Sequence, residues 1–267
     1  MTMPIKVFNM GIVATTSAAE EEPESDGNPA SGFTARYKAI TDNVTESSGA
    51  VSQWDNIGSA SDWDVTQSDA SKKPTFTQFS SNMNDRGSIS FDGSNDFLDT
   101  NETNGADIIT TTAFTIYTAL FQEDDSGNTG HNAGTYWVAP GQYWGMHAGV
   151  TNQMYGAGYE HVSVTVSDDT LCCIEWRYDG STQTFTVALA GGATVVTDSA
   201  SSIGSLTYSS NGYTMGGGGV GTNSGSGSGG MFEGEIGEMI FYNSHLGTSD
   251  RNTCQTYFAN RYGVSWS

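Results

Sequence analysis

Residues 232–243 read Phe-Glu-Gly-Glu-Ile-Gly-Glu-Met-Ile-Phe-Tyr-Asn, and residues 88–100 read Ser-Ile-Ser-Phe-Asp-Gly-Ser-Asn-Asp-Phe-Leu-Asp-Thr. In both stretches apolar side chains alternate with polar ones, which is the period of two expected of a β-strand. Each stretch also contains glycine between its apolar parts, so each is interpreted as a strand, a glycine turn and a second strand. These two segments indicate that the protein is built from β-sheet.

The composition supports the same fold class. The chain has 267 residues, of which 34 are glycine, and only nine are Lys or Arg. A single β-sandwich of this length is common, and it is large enough to bury a two-sheet core. Many short strands joined by tight turns need this amount of glycine, whereas long helices would be disfavoured by it.

Further strands and one helix are predicted along the chain. Residues 112–122 alternate with apolar side chains on both faces, as expected of a central strand. A final helix is predicted from Asp250 to Tyr262, capped by Thr248 or Ser249 and ended by Gly263. Other strands are predicted at 34–40, 51–55, 161–167, 171–179, 183–190, 193–198 and 231–242.

Three stretches carry a resemblance to a known family. Residues 91–98 read F-D-G-S-N-D-F-L, residues 232–238 read F-E-G-E-I-G-E, and residues 51–55 read V-S-Q-W-D. Together they resemble the laminin-G/concanavalin A-like jelly roll over residues 33–263. The resemblance implies an all-β, antiparallel jelly-roll sandwich at 32–267 with one short C-terminal helix. Residues 1–31 are interpreted as an extended N-terminal arm and acidic linker.

The net charge of −21 limits the possible partners. Nucleic-acid binding requires Lys and Arg to neutralise phosphates, and so few basic residues exclude it as an expected function. No stretch approaches the ~20 apolar residues that span a membrane, and an anionic bilayer would repel the chain. Asn9 and Gly11 interrupt the apolar run near the N-terminus, so an unsecreted protein is expected.

The three cysteines are expected to be reduced and buried. Cys172 and Cys173 are adjacent and point to opposite faces of a strand, so they cannot serve one site. Neither they nor Cys254 show the spacing of a metal site. No cofactor is expected.

Modules of this kind with a short N-terminal arm are common in virion proteins of tailed bacteriophages, and the resemblance therefore implies a non-enzymatic virion structural protein. A capsid decoration protein on the external surface of the virion, made in the host cytoplasm, is the leading expectation. Its partners would be other virion proteins, above all the major capsid protein, and further copies of itself. The anchoring residues of the arm are Ile5, Val7, Phe8, Ile12 and Val13.

An aromatic segment offers a second interpretation. Trp137, Tyr143 and Trp144 could stack against the apolar faces of sugars, with His147 beside them. A surface glycan would then be the partner, and the protein would be a carbohydrate-binding module of a tail or fibre. These aromatic side chains could instead fill the sandwich or a protein interface.

A third interpretation is a glycan hydrolase. Glucanases of this fold carry carboxylates at alternate positions of one strand, which places them on one face across a glycosidic bond. Glu233 and Glu235 have this spacing, whereas Glu238 has the opposite parity and is expected on the other face.

Two acidic clusters are candidate calcium sites, because Ca²⁺ prefers carboxylate and carbonyl oxygens. One comprises Asp92, Asn95, Asp96 and Asp99, and the other comprises Asp124, Asp125 and Asn128. Neither matches an EF-hand, and turn formation alone explains the Asp, Gly and Asn residues of the first.

Overall fold

The structure is a computed structural model that describes residues 26–60, 62–100, 112–123, 168–191, 215–216 and 231–266. It also describes the backbone of 137–139, 142–147, 153–155, 161–162, 196–200 and 214. The strands β1 to β17, in chain order, are Ala35–Lys38, Val44–Ser47, Ala50–Trp54, Val65–Thr66, Thr75–Ser80, Arg86–Asp92, Leu98–Thr100, Phe114–Gln122, Trp137–Ala139, Gln142–His147, Gln153–Tyr155, His161–Val162, Thr170–Tyr178, Gln183–Leu189, Val196–Ala200, Thr214–Met215 and Glu233–Tyr242.

The predicted fold class is confirmed: the protein is all-β, with one short C-terminal helix, α1, at Thr248–Tyr262. All the strand pairs are antiparallel. One run of neighbours is β15-β14-β13-β8-β17, and β17 then pairs with both β1 and β6. A second run, β3-β4-β7-β16-β9-β10, forms the other layer of the sandwich.

The alternation predicted for β8, and the opposite orientations predicted for Cys172 and Cys173 on β13, separate two hydrophobic clusters. The cluster between the two layers contains Trp54, Leu120, Cys172 and Ile236. The other lies on the outer face of the β8, β13 and β17 sheet, beneath α1, and it includes Cys173. Both faces of this sheet are therefore buried for much of their extent, which explains why its strands are apolar on both sides.

The cysteine prediction is confirmed for the described chain. Cys172, Cys173 and Cys254 are free and buried, and the two adjacent cysteines belong to different clusters. Burial raises the pKa of the Cys172 thiol to about 12. A thiol with this pKa is almost entirely protonated at neutral pH and is therefore a poor nucleophile.

Two local predictions are wrong. Residues 232–243 do not form two strands around a turn, because Glu233–Tyr242 is one continuous strand. Neither Thr248 nor Ser249 caps the helix; Gly247 occupies that position without a side-chain hydrogen bond. The other end is as predicted, since Gly263 has φ +68° and its N–H donates to the Ala259 carbonyl. Glycine adopts this left-handed conformation without steric cost.

Candidate functional site: a pocket beside the helix-covered sheet face

A β-bulge at Gly237 determines which acids share a face. Glu235 lies opposite Phe121 on β8, and Glu238 lies opposite Ala119, with a register shift between them. Directly opposed residues of an antiparallel pair share a sheet face, and positions two apart on one strand share it too. The bulge therefore brings Glu238 onto the face of Glu235, and the expectation that Glu238 lies on the opposite face is wrong.

The bulge is possible because Gly237 has no side chain. A Cβ atom at this position would lie 2.7 Å from Met83 Cε and 2.9 Å from Tyr262 Oη. Both neighbours belong to the cluster beneath α1. An extra residue in the strand also increases its local twist, which bends β17 at this point.

Glu238 is fully buried beneath α1, where its carboxylate has partners on each oxygen. Arg36 Nε donates to Oε1 at 2.7 Å, and Tyr257 Oη donates to Oε2 at 2.7 Å. Arg261 Nε lies 3.3 Å from Oε2, and Tyr262 donates to the same oxygen at 3.4 Å. Because a buried carboxylate needs charged and hydrogen-bonding partners, this set explains how Glu238 remains in the core.

The ionic network continues to the first described residue. Both oxygens of Asp26 accept from the Arg86 guanidinium, at 2.8 and 3.1 Å, and Arg261 Nη1 lies 3.2 Å from Oδ2. Tyr242 Oη also donates to the Ala30 carbonyl at 2.6 Å. The segment that the sequence places at the end of the linker thus contacts the sandwich from Asp26 onward.

Glu175 on β13 forms a second buried centre under α1. Tyr117 Oη donates to it at 2.6 Å, Arg251 Nη2 at 2.8 Å and Gln255 Nε2 at 3.0 Å. Arg177 Nε lies 2.7 Å from Oε1 but outside hydrogen-bond geometry, so we treat this contact as an ion pair. Glu175 therefore holds the N-terminal half of α1 on the sheet, as Glu238 holds the C-terminal half.

Beyond the area covered by α1, the same face of the sheet carries an open pocket. Its volume is about 530 Å³, and the described residues that line it are Asn82, Phe121, Glu123 and Asp169. Ligand pockets commonly enclose about 300–1,000 Å³ and combine an apolar surface with a few polar groups. An aromatic ring, an amide and two carboxylates give this pocket such a lining.

Three separate parts of the chain position the polar groups of the pocket. Glu123 directly follows β8, and its N–H donates to the Glu233 carbonyl at 3.2 Å. Asp169 precedes β13 in the left-handed conformation, at φ +53°, and its N–H donates to the Gln122 carbonyl at 2.9 Å. Asn82 comes from a short 3-10 helix, Ser81–Met83, between β5 and β6.

Glu235 holds the pocket residue Asn82 in place through a hydrogen bond. Its side chain is buried, with Asn82 Nδ2 donating to Oε1 at 2.8 Å and Ser88 Oγ donating to Oε2 at 2.5 Å. These bonds fix the orientation of the Asn82 amide, whose oxygen would remain available to a ligand. Of the two glutamates singled out from the sequence, Glu235 is thus a positioning residue in this structure.

Glu123 lies in a strongly negative environment. Burial is the largest cause that raises its pKa, followed by the negative charges of Glu233, Glu235 and Asp169. In the register of β8 and β17, Glu123 lies opposite Glu233 and diagonal to Glu235. Cβ atoms of directly opposed residues are about 5 Å apart, and those of diagonal neighbours are somewhat less than about 7–8 Å apart. The pocket therefore combines several carboxylates within the reach of one small ligand.

The structure gives a backbone position for each aromatic candidate. Trp137 on β9 lies directly opposite Trp144 on β10, and it also pairs with Met215 on β16. Tyr143 lies opposite Val138. His147 lies at the end of β10, opposite Gln153 on β11. The two tryptophans are thus cross-strand neighbours, and the assignment of these four residues to a ligand site stays a prediction.

The arm residues Ile5, Val7, Phe8, Ile12 and Val13 lie outside the described residues, as do Asp124, Asp125 and Asn128.

In the first acidic cluster, Asp92 Oδ1 accepts the backbone N–H groups of Ser94, Asn95 and Asp96, so this carboxylate closes a turn. Across the part of the chain that the structure describes, no three His, Cys, Asp or Glu side chains are placed to hold a metal ion. The calcium interpretation of Asp92, Asn95, Asp96 and Asp99 thus gains no support.

The part of the chain that the structure describes contains no helix long and apolar enough to cross a lipid bilayer.

Sequence reasoning missed Asn82, Glu123 and Asp169. None of them belongs to a motif, and they are brought together from the ends of three elements that are distant in the sequence. The only signal in the sequence is their position at strand ends, where ligand-binding residues often lie.

No protein-family model and no curated protein matches this sequence. Solved structures match at the level of the fold. One is domain 4 of AbnA, an extracellular arabinanase from Geobacillus stearothermophilus, in complex with arabinotriose. It is 10% identical, with a TM-score of 0.51, and the match covers 86% of this chain and all of that domain.

Two further structures belong to whole enzymes. An arabinofuranosidase in complex with arabinofuranosyl-alpha-1,2-xylobiose is 11% identical, with a TM-score of 0.53 and coverage of 89% of this chain and 61% of the enzyme. Trypanosoma rangeli sialidase in complex with sialic acid is 8% identical, with a TM-score of 0.54 and coverage of 86% and 33%. The chain spans only 33% and 61% of these two enzymes. At identities this low, the structural matches show that the fold is shared and nothing beyond the fold.

These structures contradict two expectations from the sequence. The leading expectation of a capsid decoration protein is wrong, because the matched structures are a glycan-bound domain and enzymes that act on glycans. The expectation of a non-enzymatic protein is wrong as well, because two of these matched structures are glycan-cleaving enzymes. The expectation of a non-enzymatic protein relied on the absence of a catalytic motif in the sequence. The pocket is assembled from segments that are distant in the sequence, so no such motif would reveal it.

Proposed function

We propose that this protein is a glycan-binding β-sandwich module, and that the pocket of Asn82, Phe121, Glu123 and Asp169 contacts the sugar. The observation that carries the proposal is the composition of this pocket. Sugars present an apolar ring face that packs on an aromatic side chain, and hydroxyl groups that pair with amides and carboxylates. The resemblance to concanavalin A-like jelly rolls fits this function and remains part of the proposal.

The fold comparison supports the proposal from a different direction. The match to domain 4 of the arabinanase covers that domain completely, and that domain was solved with a bound trisaccharide. A sandwich of this size therefore suffices to bind an oligosaccharide without the rest of an enzyme. The position of the glycan on that domain is not transferred to this chain.

Calorimetric titration of the full chain with arabinotetraose, xylotetraose and cellotetraose tests the proposal. We expect at least one to bind, and Asn82→Ala to weaken its binding at least about tenfold, which corresponds to the loss of one good hydrogen bond. Asp42→Asn is the control, because Asp42 is an exposed acid on a 3-10 helix and does not line the pocket. Undiminished binding by Asn82→Ala would remove the pocket from the site.

The same titration separates the two candidate sites. Trp144→Ala alters the aromatic pair on β9 and β10 and leaves the pocket residues intact. If Trp144→Ala abolishes binding while Asn82→Ala does not, the glycan binds at the aromatic strands. Loss of binding in Asn82→Ala alone places the glycan in the pocket.

Hydrolysis is a second candidate function, and the position of Glu123 favours it. A glycosidase needs a carboxylic acid with a raised pKa as proton donor and a second carboxylate about 5–10 Å away. Glu123 has its pKa raised, and Glu233 and Glu235 lie on the same face of the sheet. Glu123 is therefore the candidate acid, with Glu233 as the candidate base or nucleophile.

Release of reducing ends from arabinan and arabinoxylan by the full chain tests this candidate. We expect Glu123→Gln to abolish the release while oligosaccharide binding persists, because an amide cannot donate the catalytic proton. Equal release by Glu123→Gln and the native chain would exclude Glu123 as the acid. Binding without any release by the native chain would favour the binding module alone.

A further inference from the structure

We infer that the pocket selects uncharged glycans and rejects those that carry carboxylates. The inference rests on the proposed function, and it names the ligand class that the pocket would take. Its basis is the charge around the cavity. Glu123 and Asp169 line the pocket directly, and the charges of Glu233 and Glu235 act on Glu123.

The amide and the carboxylates of the pocket favour hydroxyl ligands in particular. An ionised carboxylate only accepts hydrogen bonds, and a sugar hydroxyl can donate one. The carboxylate of a uronic or sialic acid can only accept as well, so it would face these oxygens without a hydrogen atom between them. Uncharged sugars can therefore satisfy the pocket, whereas acidic sugars leave oxygens opposed.

The magnitude of the expected discrimination follows from Coulomb's law. At about 8 Å, in a medium between bulk water and a protein surface, one extra negative charge disfavours an anionic ligand about two- to fivefold. Four carboxylates near one cavity compound this factor, so we expect a preference of at least about tenfold for the uncharged sugar at low salt. At about 0.5 M salt the Debye length falls to roughly 4 Å, and the preference should shrink.

The surrounding ions cannot easily offset this charge. The buried arginines around this sheet face are engaged with other acids: Arg36 and Arg261 with Glu238, Arg177 and Arg251 with Glu175, and Arg86 with Asp26. An acidic ligand would have to draw an arginine away from a buried carboxylate, which leaves that carboxylate uncompensated. The acidic character of the pocket is thus maintained by the same network that attaches α1.

Matched pairs of probes test the inference. Arabinotetraose, xylotetraose and cellotetraose are each converted to the alditol and to the aldonate, which differ at one terminal carbon and in one negative charge. Titration of the full chain should show tighter binding of the alditol by at least about tenfold at 20 mM salt. Asp169→Asn should reduce this ratio about two- to fivefold, because asparagine keeps the left-handed turn and removes one charge.

Four outcomes are informative. A high ratio that falls in Asp169→Asn and persists in the control Asp42→Asn supports the inference. Equal binding of alditol and aldonate overturns it while leaving the proposed glycan binding intact. If the ratio of alditol affinity to aldonate affinity falls equally in Asp169→Asn and Asp42→Asn, the inference is overturned too, since the net charge of the chain would then cause the selection. Absence of binding by any probe, including the unmodified tetraoses, contradicts the proposed function and the inference together.

Discussion

The helix-covered half of the outer sheet face and its open half use the same residue type in opposite ways. Under α1, Glu238 and Glu175 are fully buried, and arginine and tyrosine groups occupy their oxygens. In the open half, Glu123 is only partly buried and is surrounded by other acids. The role of a carboxylate on this sheet therefore depends on whether α1 covers it. Beneath α1 its charge is neutralised by arginine and tyrosine groups, and beyond α1 its charge is exposed to a ligand.

The largest expected effect of a substitution is at Glu238. Glu238→Gln should lower the free energy of unfolding by about 3–5 kcal/mol, because Arg36 would remain buried without a compensating charge and Arg261 would keep only its ion pair with Asp26. Urea denaturation followed by tryptophan fluorescence measures this loss, with Asp42→Asn as the control that should change little. A loss below about 1 kcal/mol would mean that the buried network is not what attaches the C-terminal half of α1.

Glu175→Gln should have a smaller effect than Glu238→Gln. We expect a loss of about 1.5–3 kcal/mol, in the range of hydrogen bonds to a charged group. The reason for the difference is exposure: the Arg251 and Arg177 side chains are 23% and 15% exposed, whereas that of Arg261 is 1% exposed. Water can therefore stabilise the guanidinium groups left behind. The same urea measurement would contradict this view of the two centres if Glu175→Gln were the more destabilised protein.

Gly237→Ala tests the bulge that joins the two halves. The added methyl group would lie within 3 Å of Met83 Cε and Tyr262 Oη. Overpacking of this kind costs about 1–3 kcal/mol. Gly247→Ala is the matched control, because nothing lies within 4 Å of a Cβ at that position. Thermal unfolding of Gly237→Ala equal to that of the native chain would show that the bulge tolerates a side chain, and any cost of Gly247→Ala would reflect its position at the start of α1.

The smallest expected effect concerns the pH dependence that Glu123 causes. Its pKa is raised in the folded state, so the folded protein holds the proton more readily than the unfolded chain. The resulting contribution favours the fold at low pH and is lost as the pH rises from the ordinary glutamate pKa through the raised one.

Thermal unfolding across this interval measures the effect as a difference between the native chain and Glu123→Gln. We expect the advantage of the variant to grow slightly as the pH rises from about 4 toward 7, because the variant lacks the repelled charge. Asp42→Asn should show no such trend. If the melting temperatures of the native chain and Glu123→Gln changed in parallel with pH, repulsion between Glu123 and its acidic neighbours would not affect the stability of the fold.

The class of fold and most of the local elements follow from patterns in the sequence. The period of two in residues 112–122 predicted a central strand, Gly263 predicted the end of α1, and adjacent Cys172 and Cys173 were predicted on opposite faces. These features depend on neighbouring residues and on the alternation along one strand, so they can be predicted without knowing where the rest of the chain lies.

The roles of the acids depend on how the strands and the helix pack in three dimensions. The extra residue at Gly237 shifts the register, and it is visible only once β17 is paired with β8. The covering of Glu238 by Arg36 and Arg261 joins parts of the chain that are distant in sequence, as does the pocket of Asn82, Glu123 and Asp169. Charge pairing and cavity formation depend on distances in space, and the sequence pattern of a single strand contains no information about them.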